Sequence, residues 1–97
     1  MVSRDAVLQT LADLKEQLRK QYGVSRIGLF GSVAHDQAGS ESDIDLLVEF
    51  EEPIGLFRFL ELEEFLTERL GQKVDLVSRK ALKPRIGARI LEEVVNV

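Results

Sequence analysis

Gly28-Leu29-Phe30-Gly31-Ser32 and Asp43-Ile44-Asp45-Leu46-Leu47-Val48, separated by the ten residues Val33 to Ser42, decide the reading of this chain. The pattern predicts a strand, a Gly-Ser turn, a short polar helix and a second strand that opens on two carboxylates. Residues two apart on a strand point to the same face. Asp43 and Asp45 therefore project together, followed by Leu47, while Ile44, Leu46, Val48 and Phe50 point into a core. Two carboxylates on one face repel unless a cation sits between them. A hard divalent ion with oxygen ligands, Mg²⁺ above all and Mn²⁺ as its substitute, is the natural occupant. Gly31 has no side chain, so a ligand can approach the backbone. Ser32 opens a helix whose free N–H groups and dipole favour phosphate. A phosphate cradle beside a two-carboxylate metal site is the minimum equipment for transfer at phosphorus. Either half alone is a weak signal, since Asp-x-Asp often marks a strand start and Gly-Ser a turn. Their spacing and strand–helix–strand setting carry the reading.

The Gly-Ser, ten residues, Asp-x-Asp pattern resembles the signature of the nucleotidyltransferase superfamily of the DNA polymerase β type. The short chain is similar to its smallest branch, the minimal nucleotidyltransferase (MNT) domains. Lys73-Val74-Asp75-Leu76-Val77 resembles the strand bearing the third carboxylate, and Ala81-Leu82-Lys83-Pro84 and Ile90-Leu91-Glu92-Glu93-Val94 extend the similarity. Where many such domains carry Ala-Arg-Gly after the Gly-Ser turn, this chain has Ala34-His35-Asp36. The resemblance implies the α/β (α+β) nucleotidyltransferase fold, a small mixed sheet of three to four strands flanked by helices.

The 97 residues suit one small domain, 1–97, and 44% hydrophobic content suffices for one core. There is no cysteine, hence no disulfide framework and no thiolate metal site. No apolar run is long enough to span a membrane and no signal-peptide core stands at the start, so the expectation is a cytoplasmic protein without membrane contact. A net charge of −4 argues against direct nucleic-acid binding. Cations gather from Lys73 to Arg89, whereas Glu49, Glu51, Glu52, Glu61, Glu63, Glu64 and Glu68 make the middle acidic.

In chain order, residues 3–22 read as a helix capped by Ser3, with Val7, Leu11, Leu14 and Leu18 as its apolar stripe and Gly23 as its stop. Val24 to Phe30 is the first strand, with Ile27 and Leu29 on one face. Residues 32–38 are a short helix, 38–42 a loop, and Asp43 to Phe50 the second strand, broken by Pro53. Residues 54–70 form a long helix with Leu56, Phe59, Leu60, Leu62, Leu66 and Leu70 as its stripe. Phe57 and Phe65 fall off that stripe among Glu61, Glu64 and Glu68; either another helix covers both rings or they form an aromatic patch with an acidic rim suited to a basic partner. Residues 73–77 are the third strand, and Pro84 opens a last helix with Ile86, Ile90 and Val94 inward.

A strand, a long helix and a strand in one sheet imply a right-handed crossover, so the second and third strands should be parallel. The short link between the first two permits an antiparallel pair. Gly31, Ser32, Asp43, Asp45 and Asp75 then converge at one end of the sheet. Because Val74 and Leu76 fix the core face, Asp75 must share the face of the other two acids.

With the resemblance, Asp43, Asp45 and Asp75 are expected to be catalytic and metal-holding, and Gly31 and Ser32 nucleotide-binding. Asp75 would complete a second metal site or take a proton from the attacking hydroxyl. His35, on a short exposed helix, reads as a solvated side chain. The resemblance implies Mg²⁺-dependent transfer of AMP from ATP to a hydroxyl, with a HEPN-domain toxin as the acceptor protein and this chain as its antitoxin. The alternative is a non-catalytic antitoxin that neutralises such a toxin by contact alone. A homo-oligomer stays open.

Overall fold

Ser3 begins the first helix as the sequence predicts, its Oγ accepting the Ala6 N–H at 3.2 Å. The computed structural model describes residues 3–35 and 43–97. Helix α1 (Arg4–Tyr22) buries Val7, Leu11, Leu14 and Leu18 and ends on Gly23. Strand β1 (Val24–Phe30) follows at once. Its pairing with β2 (Ile44–Phe50) shifts register between Val24 and Arg26. That irregularity lets Val24 join Ile27 and Leu29 in the core despite its odd spacing. The short helix α2 (Gly31–Ala34) starts one residue earlier than expected. Its expected end at 36–38, and the loop with Ser42, lie outside the described residues.

After β2 come α3 (Leu56–Leu70), β3 (Val74–Ser78), a single 3-10 turn (Arg79–Ala81), α4 (Pro84–Glu93) with Pro84 in its first turn, and β4 (Val95–Asn96). The sheet order is β3-β2-β1-β4. As expected, β1 and β2 are antiparallel and β2 and β3 parallel. The fourth strand, only two residues long, pairs antiparallel with β1 at Gly28 and Leu29. A Cβ at Gly28 would collide with Val94 Cγ2, so the closing segment lies against β1 only because position 28 has no side chain.

One core holds the fold together. Ile44, Leu46 and Val48 of β2, Ile27 and Leu29 of β1, and Val74 and Leu76 of β3 pack with the α1 stripe and with Leu62 and Leu66 of α3. Leu47, on the carboxylate face, is also buried. Three expectations need correction. Leu56 and Leu60 are not inward but 69% and 47% exposed. Phe65 is not part of a free patch: it packs on the core with its ring 5.9 Å from that of Tyr22, while Phe57 is 84% exposed. Arg58 fixes this rotation of α3 by donating to the Gln21 carbonyl and lying 4.7 Å from the Tyr22 ring centroid. In α4, Ile86 is 58% exposed, and Gly87 instead is buried against the Leu82 side chain.

The outer edge of β3 is closed in a way periodicity does not reveal. The Val74 N–H donates to Thr67 Oγ1 at 3.1 Å and the Leu76 N–H to Glu63 Oε2 at 2.9 Å. Thr67 and Glu63 are four apart on α3, so both face the strand. Free N–H groups on an edge strand invite pairing with another chain. Thr67→Val is expected to cost about 1–3 kcal/mol by orphaning one donor, and Glu63→Leu a similar amount, whereas Glu63→Gln keeps an acceptor and costs less. Urea titration reads the stability. The double change Glu63→Leu/Thr67→Val should also self-associate with rising concentration on size exclusion.

Candidate active site

The site is built where β1 ends and β2 and β3 begin. Phe30 closes β1 in extended conformation, and Gly31 then takes φ +76°, a value L side chains rarely adopt. A Cβ at Gly31 would also run into Asp45 Oδ2, so the Asp45 carboxylate leans over the bare backbone of the turn. Ser32 follows in the first turn of α2, half-buried, and its carbonyl accepts the His35 N–H at 3.2 Å. It stands inside the helix rather than at its cap, which is Phe30.

Asp45 is opposite Phe30 on β1 and opposite Asp75 on β3. Parallel neighbours in register present their side chains to the same face, and Val74 and Leu76, both buried, fix the other face as core. Asp43 lies just before β2, two residues from Asp45, where the Ile44 N–H donates to the Lys73 carbonyl at 2.9 Å. The five residues singled out in the sequence are thus neighbours at one end of the sheet. Their order across it is Gly31 and Ser32, then Asp43 and Asp45, then Asp75.

The electrostatics follow from that crowding. Partial burial, then the negative charges of Asp75 and of Asp43, raise Asp45 above the ordinary carboxylate value. The nearby cation is Lys73, with Nζ 3.9 Å from Asp43 Oδ2, both side chains well exposed. An exposed pair at that distance contributes little. Lys73, read from the sequence as the first residue of the third strand, stands just before β3. His35 Nε2 lies 3.7 Å from Glu93 Oε2, which ties the short helix to α4 rather than to the carboxylates.

Among the described residues no group of three or more His, Cys, Asp or Glu side chains stands close enough together to hold a metal ion by itself. The donor set nonetheless fits a divalent cation. All three donors are hard oxygens, Asp45 and Asp75 are paired neighbours on β2 and β3, and their repulsion adds to burial in raising Asp45. Mg²⁺ and Mn²⁺ sites of this kind stay open because substrate phosphates complete them.

Comparison with known proteins gives the family. Residues 11–97 match the family model described as a nucleotidyltransferase domain. Protein adenylyltransferase MntA of Thermococcus cleftensis is 43% identical over 97 residues, covering 100% of this chain and 98% of that protein. A solved structure assigned as a minimal nucleotidyltransferase superposes with a TM-score of 0.83 at 34% identity, covering 99% of this chain and 97% of the other. A more distant one, from the complex of a tri-AMPylated Shewanella oneidensis HEPN toxin with its MNT antitoxin, shares the fold at a TM-score of 0.69 and 21% identity, covering 93% of this chain and 70% of the other. With the match running from the middle of α1 through β4, this chain belongs to the nucleotidyltransferase family and is built on a minimal version of its fold.

Proposed function

We propose that this chain transfers AMP from ATP to a side-chain hydroxyl of a partner protein, a HEPN-domain toxin, and so acts as its antitoxin. The observation that carries the reading is the alignment of Asp45 with Asp75 across β2 and β3, beside the Gly31 turn. The whole-length likeness to a protein adenylyltransferase supports the acceptor class, and the fold shared with a toxin-bound antitoxin supports the partner.

Asp43 and Asp45, with Asp75 beside them, would hold Mg²⁺ or Mn²⁺, which when bound offsets the charge of the triphosphate and of the departing pyrophosphate. Gly31, whose missing side chain makes room for the Asp45 carboxylate, offers its backbone to a phosphate, and Ser32 donates its hydroxyl to a phosphate oxygen. The acceptor oxygen attacks the α-phosphorus of ATP, the bond to the bridging oxygen of the β-phosphate breaks, and pyrophosphate leaves. Asp75, exposed on the site face, takes the proton that the hydroxyl gives up. Phosphoryl chemistry asks mainly for positioning and charge compensation, and these five residues supply both.

Mixed with its toxin, ATP and Mg²⁺, the chain should add roughly 329 Da per transfer to the toxin, the mass expected of nucleotidyl transfer from ATP. Intact-mass spectrometry reads it. Asp75→Ala should lose the mark and keep ATP binding, whereas Asp43→Asn/Asp45→Asn should lose metal-dependent ATP binding. If wild type neutralises the toxin without a mass change, and the double variant neutralises equally well, contact alone accounts for the antitoxin effect.

The raised pKa of Asp45 gives a separate outcome. The folded state holds this proton more tightly than the unfolded chain. The resulting stabilisation is complete below the unfolded pKa and is lost as pH rises through the folded one. At neutral pH in EDTA, Asp45→Asn should therefore melt higher than wild type, and the gap should narrow as the pH falls through the Asp45 pKa. Gly31→Ala should act oppositely, lowering the melting temperature and nucleotide affinity together, since it strains the turn and displaces Asp45.

A further inference from the structure

At the opposite end of β2 from the carboxylates lies a cavity of ≈ 570 Å³. Its apolar walls are Phe50, Pro53, Ile54, Leu56 and Phe59. It continues onto an open surface, because Leu56 both lines it and stands 69% exposed, next to Phe57 at 84% and one turn before Leu60 at 47%. Three large apolar side chains exposed within five residues of one helix form a patch that water alone does not favour. An exposed aromatic beside an apolar pocket is the usual make-up of a binding hot spot.

The charge around the patch says what kind of partner fits. On α3 and the segment leading into it, Arg58 is committed to Glu61 at 3.2 Å and Arg69 stacks over the Phe65 ring at 5.3 Å. Glu63 is spent on the Leu76 N–H. That leaves Glu51, Glu52, Glu64 and Glu68 exposed and, among the described residues, without a cation. At the cavity mouth Arg79 is likewise held, by Glu49 at 2.9 Å, and among the described residues the exposed Lys80 beside it is the one lining cation outside such a pair, against four exposed glutamates. An acidic rim repels nucleic acid and anionic membranes alike and draws a basic protein surface.

We propose that the first half of α3 and the adjoining cavity are the docking surface for the acceptor protein, engaged by a helix that carries an apolar anchor between basic residues. The inference rests on the protein-acceptor reading above and deepens it by separating docking from chemistry. The α3 helix packs on one face of the sheet, the carboxylates project from the other, and β3 is the edge strand between them. A partner seated on α3 reaches Asp75 around that edge. With 15 residues in α3, the anchor and the hydroxyl stand on the order of 20 Å apart along the helix, so recognition needs a folded acceptor rather than a short peptide.

The test is calorimetry of this chain with the purified HEPN-domain toxin, run beside the mass assay. Phe57→Ala/Leu60→Ala should weaken toxin binding by about tenfold or more, as loss of a hot-spot pair does, while Mg-ATP binding and melting temperature stay near wild type. Glu52→Lys/Glu64→Lys should weaken it as well, and wild-type affinity should fall with added salt. Unchanged affinity in both variants overturns the docking surface, as does a wild-type homodimer that Phe57→Ala/Leu60→Ala dissolves, since the occupant would then be a second copy. Patch-dependent binding without any AMP mark leaves the surface standing and removes the transfer reading. A full AMP mark in variants that bind like wild type does the reverse.

Discussion

Everything in this molecule depends on the register of β2. The strand is hydrogen-bonded on both sides, antiparallel to β1 and parallel to β3, and that pairing sets Asp45 between Phe30 and Asp75. The same pairing puts Ile44, Leu46 and Val48 into the core. Because the side-chain period of a strand is two, a slip of one residue would bury the carboxylates and expose the core set. The apolar residues between the acids therefore enforce the placement of the acids. The cost is concentrated at the carboxylates: Asp45 is partly buried and pressed against like charges, and it holds its proton more tightly for both reasons.

Much of this was legible in the sequence because it rests on short-range rules. The Ser3 cap, the bounds of β1, the parallel and antiparallel pairings and the shared face of Asp45 and Asp75 all follow from capping, period and connection length. What was not legible depends on what comes to lie over a face. The helical wheel separated Phe57 and Phe65 from the stripe of α3, but only the arrival of Tyr22 from the end of α1 decides that Phe65 is covered. Leu56 and Leu60 match the apolar period and still face outward, since the core under α3 is wide enough for Leu62 and Leu66 with Phe59 and Leu70 at its margin. A two-residue strand such as β4 has no period to detect. The bonds from Val74 and Leu76 to α3 join residues 7 and 13 positions apart, through side chains that read as ordinary surface polar groups.

The economy of the fold shapes the enzyme. Among the described residues no helix is long and apolar enough to cross a membrane. The two long helices, α1 and α3, contribute to the same core as the inner face of the sheet, and the opposite face carries the carboxylates. In the proposed function, the nucleotide and metal would be met by short-range features, a glycine turn and strand-start acids. On that proposal the second substrate is left to be held from outside that pocket.

The closure of the β3 edge has a consequence for that second substrate. Thr67 and Glu63 bind backbone N–H groups on either side of Asp75, so α3 and the strand bearing the third carboxylate move as one piece. The helix thereby works as a ruler fixed to the sheet. Any protein gripped by α3 offers for reaction whichever hydroxyl falls at the set distance, with little regard to the residues that flank it. Such an enzyme selects by position within a folded surface, and a neighbouring hydroxyl brought to the same distance by a small shift would be modified as readily.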